Sequence, residues 1–262
     1  MDATHDSAGV VLPSMPPRTV AGVFTDSSMQ RAATRARARR VVAQRRTSAG
    51  RLGTVLEGPT GVRADTMAGV SLLESLMRHA AADGLEAHHL RQMIAFASTH
   101  EDPFCRAIAE GHFTGSAVTV STDGARVLLV YHRKLACWLQ PGGHAEPGET
   151  DGASVGLREA REETGIEGLE LHPTAPRPLD VDMHRIPGHG DQAAHDHLDL
   201  RYLVVAPPGA EPDPCAVETR GARWFTWDEV DGEVRPDLPM RRMLAKAREW
   251  TAPARPGTGE PG

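Results

Sequence analysis

Aromatic residues are scarce in this chain: Phe, Trp and Tyr make up 4% of its 262 residues. A core with so few rings needs nearly all of them, so Trp138, Trp224, Phe225 and Trp227 are expected in core and edge packing. Cysteine is scarcer still. Cys105, Cys137 and Cys215 are odd in number and far apart, giving neither a disulfide framework nor a zinc spacing, and a reducing cytoplasm is the default. No apolar run approaches the roughly 20 residues of a membrane helix. The opening MDATHDSAGV lacks the basic and apolar regions of a secretory signal. The expectation is a cytoplasmic protein with no membrane partner. No Gly-Lys-Ser/Thr follows the glycines of GGHAEPGE, so an ATPase loop is unsupported. No internal repeat is evident.

The formal net charge is −6 and is unevenly spread. Residues 1–66 hold ten arginines against five acids, which leaves −11 for the rest of the chain. So acidic a body is a poor general nucleic-acid binder, and none is expected as a partner. It suits a cation if the acids converge. Within the first 66 residues, RAATRARARRVVAQRRTSAGR (31–51) has eight arginines and no acid. Three readings stay open: an arm for nucleic acid or a membrane surface, a disordered Arg-rich extension over 1–66, or a natural start as late as Met67. The extension is the expectation.

From residue 67 the pattern turns helical. Leu72, Leu73, Leu76 and Met77 share one face, as do Leu90, Met93, Ile94 and Ala97, and Asp83-Gly84 separates the two runs. This predicts a helical segment over 67–112, with His88 and His89 on its solvated surface. Strands are expected from Ser116. SAVTVSTDGARVLLVYH reads as a hairpin turning at Asp123-Gly124. DVDMHRIP (180–187), DHLDLRYLVVAP (196–207) and GARWFTWDEV (221–230) read as strands, and MRRMLAKAREW (240–250) as a closing helix. Residues 253–262 read as a flexible tail.

Between these strands lies GGHAEPGETDGASVGLREAREETG (142–165). Thr150 or Asp151 can cap a helix that runs to Thr164 and stops at Gly165. At about 100° per residue, Glu159, Glu162 and Glu163 fall together, opposite Ala153, Leu157, Ala160 and Thr164. Carboxylates at such spacings repel, and enclosure raises the cost. Arg158 is expected to pair with one of them but not to reach all three. Mg²⁺ or Mn²⁺, hard cations that take several oxygen ligands, would satisfy the face. Glu-rich helix faces are usually just solvated, so the acids alone do not decide the matter.

The whole stretch resembles the signature of the Nudix hydrolases, G-x5-E-x7-R-E-U-x-E-E-x-G-U, where U is aliphatic. Gly143, Glu149, Arg158, Glu159, Glu162, Glu163, Gly165 and Ile166 match in type, with Ala160 at the first U. Eight residues rather than seven separate Glu149 from Arg158, so Thr150 or Glu146 competes with Glu149 for its place. The flanking segments GHFTGSAVTV and HDHLDLRYLVVAP also resemble a bacterial Nudix subgroup in which a helical segment precedes the domain.

The resemblance implies an α/β fold, an α/β/α sandwich around a mixed sheet, with the family domain over 113–252. It implies hydrolysis of a diphosphate linked to another moiety, most plainly a nucleoside diphosphate derivative. Glu159, Glu162, Glu163 and the main-chain carbonyl of Gly143 would be metal ligands. Glu162, Glu163 and Arg158 would be catalytic, with Arg158 orienting the carboxylates and Glu163 one candidate base. Lys134, His144, His197 and Arg201 are expected to touch substrate, and a homodimer is expected. His197, Asp199 and Arg201 alternate onto one strand face, and His184 and His195 stand near. For these imidazoles a substrate cleft, a transition-metal site and a structural polar role all stay open. Two other functions on this fold also stay open: a non-catalytic nucleotide sensor, disfavoured by the intact acids, and an isopentenyl-diphosphate isomerase using Cys137.

Overall fold

A computed structural model of the chain describes residues 71–190, 193–214 and 221–251. The Arg-rich stretch 31–51, Met67, Cys215 and the tail 253–262 lie outside the described residues. Helix α1 (Leu72–Met77) starts on the Ser71 hydroxyl, which accepts from the Glu74 amide. Helix α2 (Gly84–Thr99) starts on Asp83, whose carboxylate accepts from the Glu86 amide, so the expected break between the helices is the cap of the second. Strands β1 (Gly111–Val120), β2 (Arg126–His132), β3 (Cys137–Leu139) and β4 (Gly142–His144) follow, then helix α3 (Gly152–Thr164). The rest is β5 (Glu170–Leu171), β6 (Asp180–Ile186), β7 (His195–Val205), β8 (Ala222–Thr226), the short α4 (Trp227–Glu229), a π-helical turn (Val230–Val234) and α5 (Leu238–Thr251).

The sheet is mixed. β1 runs parallel to β7 over ten residue pairs, from Gly111↔Asp196 to Val120↔Val205. The other pairings are antiparallel: β2 and β4 on β1, β3 and β8 on β2, β5 and β6 on β7. β1 starts at Gly111 rather than Ser116, because its polar first half is held by β7 and not by an apolar pattern of its own. The last expected strand stops at Thr226, where a reciprocal Thr226–Glu229 capping box turns the chain into α4.

Strand alternation sorts the layers. Gly115 and Ala117 of β1 and Leu200, Tyr202 and Val204 of β7 point one way, toward α3. Val118 and Val120 of β1 and Leu203 of β7 point the other way, onto Met240, Met243 and Leu244 of α5. The chain is thus the expected α/β/α sandwich around a mixed sheet. On the α5 face each strand changes character along its length. Val118, Val120 and Leu203 lie under the helix, while His112, Thr114, Ser116, His195, His197, Asp199 and Arg201 continue the same face as a buried polar band.

Helices α1 and α2 are part of this body. Glu86, fully buried, accepts from the Val181 amide at 3.2 Å and from Lys246 of α5 at 2.5 Å. His89, expected in solvent, accepts from the Met183 amide at 3.2 Å. Both amides belong to β6, so α2 covers donors that an edge strand would otherwise expose. Met77 is exposed rather than packed. Among the described residues no helix is long and apolar enough to cross a membrane.

Close approach of α3 to β1 depends on Gly115. A Cβ there would collide with the Gly152 carbonyl and lie 2.8 Å from Val155 Cβ and 2.9 Å from the Gly156 amide. Backbone cannot swing aside as a side chain does, so Gly115→Ala is expected to destabilise the domain by about 1–3 kcal/mol. Urea unfolding followed by circular dichroism measures this, with an unchanged midpoint as the opposing result.

Candidate active site

Local signals place the acidic helix as expected. Asp151 accepts from the amides of Ala153 and Ser154, and Gly165 ends α3 in the left-handed conformation at φ 71°. Ala153, Ala160 and Thr164 are buried beneath it. The opposite arc is not plain surface. Glu159 and Glu163 are each only 8% exposed, and Glu162 is half-buried. The short strand β4 encloses them. The Gly142 amide donates to Glu163 Oε2 at 3.2 Å, and the Glu159 carboxylate fills the space beside Gly143 where a side chain would stand.

Arg158 does more than the single pairing expected of it. Its Nη1 donates to Glu159 Oε1 at 2.9 Å and to Glu162 Oε2 at 3.3 Å. Its Nε and Nη2 donate to Glu149, each at 3.0 Å, and Nη2 donates to the His144 carbonyl at 2.7 Å. Two of the three helix carboxylates are therefore reached, and the guanidinium ties helix, loop and β4 together. Glu149 takes the place that the spacing left open. Its Oε2 also accepts from the Glu146 amide at 2.8 Å, and its amide donates to the Glu146 carbonyl, so the longer loop folds on itself and still delivers the Glu149 side chain. Burial would raise the Glu149 carboxyl, but the Arg158 hydrogen bonds win and hold it below its ordinary range. Glu162 goes the other way: burial, with Glu146 and Glu149 nearby, pushes it up despite Arg158. Three carboxylates, Glu149, Glu159 and Glu162, thus share the Arg158 guanidinium.

A cavity opens beside β4, walled by Thr114, Gly143, His144, Glu163, His184 and His197, with Gln140 and Asp199 also on its lining. Of the residues expected to touch substrate, His144 and His197 line it, while Lys134 and Arg201 do not. The Arg201 expectation is corrected. Its guanidinium is buried and donates to Asp199, Asp180 and Asp182 at 3.0, 3.1 and 2.8 Å. The alternation of HDHLDLR promised a polar strand face, but that face is interior at Arg201. The residue sequence reasoning missed is His112. It pairs with His197 across β1 and β7, and its alternation with Thr114 and Ser116 was the one available signal.

Residues 112–247, more than half of the chain, match the NUDIX domain. The chain belongs to the NUDIX domain family. Similar solved structures include a Nudix-family hydrolase from Clostridium perfringens, 24% identical, covering 54% of this chain and 98% of its own at a TM-score of 0.42. A MutT Nudix hydrolase from Burkholderia pseudomallei is 23% identical, covering 52% and 98% at 0.39. An Ap4A hydrolase from C. elegans is 19% identical, covering 53% and 96% at 0.40. A search of curated proteins finds no match. The Nudix match runs from β1 into α5 and leaves out α1 and α2.

The donor set fits a divalent ion: several hard carboxylate oxygens on one helix face, partly screened from water. Gly143 is where this Nudix site can be perturbed without breaking the fold. An alanine Cβ would lie 2.5 Å from Glu159 Oε1, the mobile end of a side chain. Gly143→Ala is therefore expected to leave the melting temperature nearly unchanged while weakening activating-metal affinity by about tenfold. A metal titration of activity reads this directly. Wild-type metal dependence would contradict it.

Proposed function

We propose that this chain is a Mg²⁺- or Mn²⁺-dependent pyrophosphohydrolase that cleaves a small diphosphate linked to another moiety, with a nucleoside diphosphate derivative as the substrate class. The observation that carries the reading is the enclosure of Glu159 and Glu163, with Glu162 half-buried beside them, on one face of α3 against the glycine strand of a cavity. Enclosed like charges of that number are relieved by a cation.

Glu159, Glu162, Glu163 and the Gly143 carbonyl would hold the ion, which when bound would offset phosphate charge and acidify water. The chain's own groups do the rest. Arg158 holds two ligand carboxylates in fixed rotamers. The Gly142 amide anchors Glu163 at the cavity wall, and that carboxylate would take the proton of attacking water. His144 and His197, also on the wall, would contact the substrate.

The isomerase alternative needs an acid–base thiol in the cavity. Cys137 does not line it, and burial together with Asp237 raises that thiol above its ordinary range. The test of the proposal is a panel of nucleoside diphosphate sugars, dinucleoside polyphosphates and other diphosphate esters, assayed for phosphate or mononucleotide release with Mg²⁺, Mn²⁺ or EDTA. Metal-dependent cleavage of at least one class is expected. Saturable binding of the same compounds without cleavage would favour a nucleotide sensor instead.

A further inference from the structure

Beside the acidic helix, on the other side of β4, lies a second cluster of different chemistry. His112, His195 and His197, all buried, place ring nitrogens within 4.8 Å of one another. The parallel register sets His112 directly opposite His197, and His195 sits two residues back on the same strand face. The ring centroids of His112 lie 5.1 Å from those of both His195 and His197. From β4, His144 brings its Nε2 within 2.9 Å of His197 Nε2.

We propose that His112, His195 and His197 form a binding site for a divalent transition-metal ion of the zinc class. Imidazole is a good donor to such ions and a poor one to Mg²⁺, so this site is distinct from the carboxylate face in the metal it selects. His195 shows the preparation most clearly. Its Nδ1–H donates to the Ala193 carbonyl at 3.1 Å, which leaves a lone pair on Nε2. That Nε2 is fully enclosed, with no hydrogen-bond partner among the described residues. A ligand histidine commonly has this arrangement: one nitrogen fixed by a backbone carbonyl, the other bare toward the ion. Tetrahedral zinc at 2.0–2.1 Å sets its ligand nitrogens about 3.4 Å apart, so rings whose nitrogens lie within 4.8 Å must draw together on an ion.

An ion there would have a structural consequence for the catalytic side. The His144 carbonyl is the acceptor of Arg158 Nη2 and its ring packs on His197, so ordering His197 on an ion would steady β4 against the acidic helix.

The test uses full-length, untagged protein dialysed against EDTA and then titrated with Co²⁺ and Zn²⁺. The expected result is one equivalent of Co²⁺ bound with the visible spectrum of tetrahedral nitrogen ligation, displaced by Zn²⁺ but not by excess Mg²⁺. His195→Asn and His197→Gln are expected to weaken Zn²⁺ binding by about 10–100-fold or more. Glu159→Gln/Glu163→Gln is expected to retain it, which separates this site from the carboxylate face. Circular dichroism identifies any histidine variant that fails to fold, and the wild-type titration then decides. Absence of saturable micromolar binding by the wild type, or undiminished binding in folded histidine variants, would overturn the proposal.

Discussion

Glu163→Gln is expected to lower kcat for diphosphate hydrolysis by about 10³-fold or more, through combined loss of a ligand charge and a proton acceptor. The amide is isosteric and can still accept from the Gly142 amide, so β4 and α3 should stay in place. Only the charge and the basicity go. The melting temperature should hold or rise slightly, because one of the like-charged carboxylates that Glu159, Glu162 and Glu163 place on one helix face is neutralised. Glu167→Gln, an exposed acid just past the helix, is the matched control and should leave kcat unchanged. Single-turnover measurements at saturating metal make the comparison. Retention of wild-type kcat by Glu163→Gln would remove that residue from the chemistry.

Arg201→Leu is expected to cost about 3–5 kcal/mol of stability, because it removes the one side chain that joins buried Asp180, Asp182 and Asp199, leaving Asp180 to Arg242 and Lys246 and Asp199 to the Thr114 and Ser116 hydroxyls. For a domain of this size that lowers the melting temperature by roughly 10 °C or more. Burial would raise the Asp182 carboxyl, but Arg201 outweighs it and holds the group far below its ordinary range. A folded-state value so depressed contributes stability above the unfolded value near 4, and that stability is lost as pH falls through the acid range. Without Arg201 the balance reverses, so the variant should be least stable near neutrality relative to wild type. Differential scanning calorimetry across pH reads both effects. If Arg201 touched substrate instead, the variant would melt normally and show a raised KM.

The sequence made α3 legible because its signals are local: a capping aspartate, a stop glycine and a buried small-residue stripe all lie within one turn of where they act. The β1–β2 hairpin was legible for the same reason, through Asp123-Gly124 with Gly124 at φ 68°. What escaped was set by distant partners. Strands β3, β4 and β5 have only two or three residues each, too few to carry a period, and exist because longer strands hold them. His112 joined the cluster only through the parallel register of β1 with β7, which no single stretch of chain encodes. Arg201 was placed on the correct face but assigned the wrong surroundings. Strand alternation tells which residues share a side, and cannot tell that Asp180, Asp182 and α5 close over that side. Glu149 was doubtful by counting and is secure by geometry, since a loop can absorb one residue that a helix cannot.

The central claim is that the acidic face of α3 is a binding site for a hard divalent cation. Calorimetric titration with Mg²⁺ tests it most directly, because the histidine cluster does not compete for that ion. The account predicts saturable Mg²⁺ binding by the wild type and its loss in Glu159→Gln/Glu163→Gln, with the fold intact by circular dichroism. Equal Mg²⁺ binding by the two proteins, or none by either, would contradict it.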